Sequence, residues 1–163
     1  METARMNADL KVGDTAPAFA LQDQSGALHK LSDEKGKWVL VYFYPKDDTP
    51  GCTVEACGVR DSWAKFKGKN VQVFGVSADS VQSHGKFAQK FKLPFPLLAD
   101  PDKKMLAAYG VWGEKKFMGK TYLGINRTSF LIDPNGKVAK IYPKVKPAEH
   151  AEEVLKDLAE LGA

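Results

Sequence analysis

The chain has 163 residues, 44% of them hydrophobic and 27% charged, and a formal net charge of +4. That length suits one domain with its own core, and the composition is that of a globular protein. No run approaches the roughly 18 apolar residues of a membrane span, and Met1 to Lys11 holds no apolar secretion core, so a cytoplasmic, non-membrane protein is expected. Lysines gather in the C-terminal half, from Lys103 to Lys120 and from Lys137 to Lys146. They read as a solvated surface or, more sharply, as a docking face for an acidic partner. No stacking aromatics are interleaved with them, which argues against nucleic acid.

In chain order, residues 1–9 read as a frayed leader and 10–163 as a single domain. Ala18 to Leu21 and Ala27 to Leu31 flank the turn Asp23-Gln24-Ser25-Gly26, a candidate hairpin. The β-branched and aromatic run Trp38 to Tyr44 predicts a buried strand, which Pro45 ends. A helix is expected from Pro50 to Lys67, stopped by Gly68. Val71 to Ser77 reads as a strand, Asp79 or Ser80 to Phe91 as a helix, and Leu97 to Ala99 as a short strand. Another helix is expected from Asp100-Pro101 to Tyr109. Thr128 to Ile132 and Lys137 to Tyr142 are strands joined at Asp133-Pro134-Asn135-Gly136, and Glu149 to Leu161 is a closing helix. Strands alternating with helices imply an α/β fold around a mixed sheet.

The two cysteines, Cys52 and Cys57, both lie in the helix that follows the central strand. Two cysteines in a cytoplasmic protein suggest catalysis or metal binding. Zinc fits poorly: there is no second cysteine pair, and His29, His84 and His150 are spread without ligand spacing. Each histidine reads as a surface or turn residue. Redox chemistry remains.

A helix N-terminus favours a thiolate, the reactive form of cysteine, and Cys52 stands there. The dipole contributes only about 0.3–1 kcal/mol at an exposed site, so strong activation calls for a cation. Of the three arginines, Arg5 lies in the leader and Arg60 two turns along the cysteine helix. Arg127, at the start of a strand, is the candidate, with an ordinary surface ion pair as the alternative. The Thr49 hydroxyl, three residues before Cys52, suits holding an oxygen substrate or capping the helix.

Pro45-x-x-x-Thr49-x-x-Cys52 resembles the active-site motif of the peroxiredoxins. Gly51-Cys52-Thr53-x-Glu55-Ala56-Cys57 is similar to their bacterioferritin-comigratory, or Q-type, subfamily, as are the segments 112–122 and 124–130. The resemblance implies a thioredoxin-like three-layer fold with helices on both faces of the sheet and an N-terminal β-hairpin. It implies a peroxidase that reduces hydrogen peroxide and alkyl hydroperoxides without a cofactor, recycled by thioredoxin or glutaredoxin. By the same resemblance Cys52 is the peroxidatic cysteine and Cys57 the resolving one, paired in an intramolecular disulfide. Thr49 and Arg127 orient the peroxide, Pro45 shields the thiolate, and Glu55 positions Arg127, unless it serves only to match the helix dipole.

Such a disulfide makes a demand on the helix. Residues five apart point roughly 140° from one another, with Cα atoms about 8.7 Å apart. A disulfide needs about 4.4–6.8 Å, so pairing requires the first turns to unwind. An intramolecular bond needs no second chain, and a monomer is expected. The rivals are a thiol-disulfide oxidoreductase, disfavoured by the lack of C-x-x-C, and a redox sensor or holdase using the same switch.

Overall fold

The computed structural model describes residues 10–163; the expected leader, residues 1–9, lies outside them. Strands β1 (Ala20–Gln22) and β2 (Leu28–Lys30) pair antiparallel as the expected hairpin. Asp23 shapes its turn by accepting from the Ser25 and Ala27 amides at 2.8 and 3.1 Å. Then follow β3 (Trp38–Phe43), α1 (Pro50–Asp61), α2 (Trp63–Gly68), β4 (Val71–Ser77), α3 (Val81–Phe91), β5 (Leu97–Ala99) and α4 (Lys104–Ala108). The chain ends with β6 (Trp112–Phe117), β7 (Lys120–Ile125), β8 (Ser129–Ile132), β9 (Val138–Tyr142) and α5 (His150–Glu160).

Five strands form one mixed sheet in the order β5-β4-β3-β8-β9. β3, β4 and β5 are parallel because helices carry the chain back between them, whereas β8 and β9 run antiparallel to their neighbours. Alternation along the central strand sorts the core into two layers. Leu40, Tyr42 and the following Tyr44 pack with Ala56 and Val59 of α1, Phe87 of α3, and Val154 and Leu158 of α5. Val39, Val41 and Phe43 face the other way, onto Phe19, Phe130 and the α4 residues Met105 and Leu106. Each such side chain, fully buried, contributes about 1.5–3 kcal/mol.

Several elements differ from the sequence expectation. The helix expected from Pro50 to Lys67 is broken at Ser62, whose backbone leaves helical geometry (φ −103°, ψ 7°). The helix expected from Asp100 starts at Lys104, because the Asp100 carboxylate stays outside and accepts from the Lys104 and Leu106 amides at 3.2 and 2.8 Å. The β6–β7 hairpin was not expected from a lysine-rich stretch. Its turn is made by Met118 and Gly119, both at positive φ (55° and 78°), as a tight hairpin requires. His84 and His150 are fully buried rather than at the surface, and His29 is half-buried. Each has polar partners on distant segments or across a turn, which makes an interior imidazole tolerable.

Candidate active site

The site forms where β3 stops and α1 begins. Phe43 is tied to the far side of the site by its amide, which donates to the Thr128 carbonyl at 2.9 Å. The loop 45–49 then turns the chain, with exposed Pro45 at its start and Asp48 in the left-handed region at φ 57°. Thr49 is extended (φ −101°, ψ 157°) and Pro50 opens the helix, where its missing amide costs nothing. Thr49 stands at the cap position, but its hydroxyl donates to the Lys46 carbonyl at 2.9 Å instead of capping.

Cys52 lies on the first turn of α1 and is only 1% exposed. Arg127, between β7 and β8, reaches it from outside the helix. Its Nη2 donates to the Cys52 Sγ at 3.2 Å and its Nη1 to Glu55 Oε1 at 2.7 Å. A guanidinium has five donors and no acceptor, so this geometry makes the sulfur an acceptor and suits a thiolate. Burial opposes the charge of Arg127, and the contacts with Cys52 and Glu55 outweigh it and hold its pKa above the ordinary value. Gly51 permits the approach: a Cβ there would lie 3.2 Å from Arg127 Nη2.

Glu55 is the unusual member. Its side chain has no exposure, and Oε2 has no hydrogen-bond partner among the described residues. Burial pushes its pKa up to about 7 against the pull of Arg127. The buried Tyr42 ring fits because residue 75 is glycine; a Cβ there would meet the ring at 2.8 Å. Burial, then the nearby Glu55 and Cys52, hold the Tyr42 proton well above the ordinary phenol range.

Cys57 is half-buried on the same unbroken helix, and both cysteines are free thiols. The structure therefore brings Cys52, Glu55 and Arg127 together, with Thr49 at the cap position, and leaves Cys57 apart. Sequence reasoning missed Gly51, although a glycine directly before an activated cysteine is a visible sign of close approach. It also missed Asp47, a loop residue that is buried.

Residues 12–141 match the AhpC/TSA family. The chain belongs to the AhpC/TSA family. It is 50% identical over 151 residues to Peroxiredoxin Bcp of Escherichia coli (strain K12), covering 93% of this chain and 97% of that protein. Peroxiredoxin Bcp of Bacillus subtilis (strain 168) is 47% identical over 152 residues, again with 93% and 97% covered. Among solved structures, the Bacterioferritin Comigratory Protein of Xanthomonas campestris superposes with a TM-score of 0.87 at 37% identity, over 96% of this chain and 99% of that one. A cysteine-to-serine mutant of PrxQ from Xylella fastidiosa does so with 0.89 at 35% identity, over 94% and 98%. The mixed sheet and its helices are thus the thioredoxin-like fold of peroxiredoxins. With that membership comes the activity: the chain is a thiol-dependent peroxidase, using peroxides as substrates and a thiol as reductant.

Proposed function

We propose that Cys52 is the peroxidatic thiol and Cys57 the thiol that resolves it, within one domain spanning residues 10–163. The Cys52 thiolate attacks one oxygen of the peroxide. The O–O bond breaks, the sulfur becomes a sulfenic acid, and the departing oxygen takes a proton and leaves as water or an alcohol. Arg127 orients the peroxide and stabilises charge on the leaving oxygen. The Thr49 hydroxyl is a second positioning group, and Pro45 keeps water off the sulfur. Cys57 then displaces water from the sulfenic acid and forms a disulfide. A dithiol reductant, thioredoxin in preference to glutaredoxin, returns both thiols in the cytoplasm. Hydrogen peroxide and alkyl hydroperoxides are the substrates, and a monomer suffices.

The observation that carries this reading is the Arg127 Nη2–Cys52 Sγ contact at 3.2 Å at the head of a helix. Cys57, about 8.7 Å away by helix geometry, can bond to Cys52 only after α1 unwinds between them. Glu55, whose Oε2 has no hydrogen-bond partner among the described residues, lies in that stretch. The test is hydroperoxide consumption with thioredoxin, thioredoxin reductase and NADPH. Cys52→Ser is expected to abolish both oxidation and turnover. Cys57→Ser is expected to keep one rapid oxidation per molecule and lose recycling; full turnover in that variant would mean that another thiol resolves Cys52.

A further inference from the structure

A second buried polar cluster lies on the α3 side of the loop 45–49, away from the Cys52–Arg127 contact. Its centre is Asp47 and His84, whose side chains are 5% and 0% exposed. His84 Nε2 lies 2.9 Å from the Leu98 carbonyl of β5, which can only accept, so that nitrogen carries a proton. Its Nδ1 lies 2.7 Å from Asp47 Oδ2, so one further proton must sit between them. Asp47 also accepts from the Tyr44 hydroxyl on Oδ1 at 2.6 Å and from the Ser83 hydroxyl on Oδ2 at 2.7 Å. With a hydroxyl donor on each of its oxygens, Asp47 is best satisfied as the anion, which places the shared proton on His84. The other charged group facing the cluster is Asp79 at the end of β4, whose Oδ2 accepts from the Asp47 amide and the Ser77 hydroxyl, both at 2.8 Å. At the rim, Lys90 pairs with Asp48 at 2.8 Å.

The loop thus hangs from its one buried side chain. Asp47 is joined to β3 through Tyr44, to α3 through Ser83 and His84, to β5 through His84, and to the end of β4 through its own amide. Two residues later the chain reaches Thr49 and the first turn of α1. If that shared proton is lost, two lone pairs face each other across 2.7 Å, and Asp47 must leave its seat.

We propose that His84 is a positioning residue for the peroxidase reaction: as an imidazolium paired with Asp47 it fixes the loop that holds Pro45 and Thr49 beside Cys52. The proposal rests on the reading that Cys52 is the peroxidatic thiol. His84 is bonded to the loop and to β5 and not to α1, so it acts on the attack and not on the later unwinding.

Two measurements on the full chain test it. The first is the ¹⁵N spectrum of the histidine rings in the reduced protein, with His84 assigned through His84→Gln. Both ring nitrogens of His84 are expected to be protonated, and Asp47→Asn is expected to leave only Nε2 protonated. A neutral ring in the unsubstituted protein would overturn the proposal. The second is stopped-flow kinetics of His84→Gln: peroxide oxidation is expected to slow by about 10- to 100-fold, the cost of a misplaced reacting group, with disulfide formation changed less than about threefold. An unchanged oxidation rate in a variant that melts cooperatively would also overturn it. If that variant does not fold, the ring spectra decide. Failure of the Cys52 reading would show separately, as persistent oxidation of Cys52→Ser.

Discussion

On the α3 side of the loop 45–49, every side-chain polar atom of Asp47 and His84 has a partner; on the α1 side, Glu55 holds Arg127 with one oxygen and has no partner for the other among the described residues. Both clusters are buried and both centre on a carboxyl group, yet they differ in what opening would cost. Breaking the first strands a charge away from water, a loss of about 3–5 kcal/mol when one partner is removed. Opening the second returns to water an oxygen whose desolvation costs about 1–3 kcal/mol in the folded state. On the proposed mechanism the satisfied cluster sits under a loop that stays still while peroxide is attacked. The frustrated one sits on the helix that, on the same mechanism, unwinds for Cys57 to reach Cys52.

The largest effect that would sharpen this contrast is expected from Arg127→Ala, which removes the donor to Cys52 and the partner of Glu55 together. Oxidation by peroxide should slow by about 10²- to 10³-fold, the usual cost of losing one preorganised donor to developing charge. A rate within about threefold of the unsubstituted chain would show that the contact is structural only.

Next comes the pH dependence of α1. Glu55 has its pKa raised by burial to about 7, against an ordinary carboxyl value of 4.5, so the folded helix binds the proton more tightly than the unwound one. The stabilisation is complete below about 4.5, falls as pH rises towards about 7, and is gone above it. At about 1.36 kcal/mol for each pH unit the total is roughly 3 kcal/mol in favour of unwinding at neutral pH. Amide exchange across 53–58, corrected for its intrinsic rate, should quicken between about pH 5 and pH 7 relative to β3 and level off in Glu55→Gln. An equal slope in both proteins would rule out Glu55 as the source of the pH dependence.

The smallest effect is expected from Gly51→Ala. The new methyl would press on Arg127 Nη2 from 3.2 Å, and a guanidinium displaced by a few tenths of an ångström should slow oxidation by less than about tenfold. A faster enzyme would mean that Arg127 has room to shift without loss.

Much of this was legible in the sequence because the signals are local. The run Trp38 to Tyr44, the Pro50 helix start and the Asp133–Gly136 turn each announce themselves within a few residues. The approach of Arg127 to Cys52 was legible too, since few arginines were available. What remained hidden depends on partners far apart in the chain. The Asp47–His84 pair spans 37 residues, and nothing near either residue marks it as buried. That Glu55 Oε2 has no partner among the described residues is equally invisible, because the sequence shows only the arginine that holds the other oxygen. The β6–β7 hairpin escaped because its turn residue Met118 takes a positive φ that a methionine rarely adopts.

On the proposed mechanism α1 is a two-state element beside a fixed loop. Amide hydrogen exchange of the reduced and the disulfide-bonded chain tests it most directly. The amides from Thr53 to Gly58 are predicted to lose protection on oxidation, whereas that of Asp47, held by Asp79 at 2.8 Å, keeps it. Equal protection of 53–58 in both redox states would contradict it.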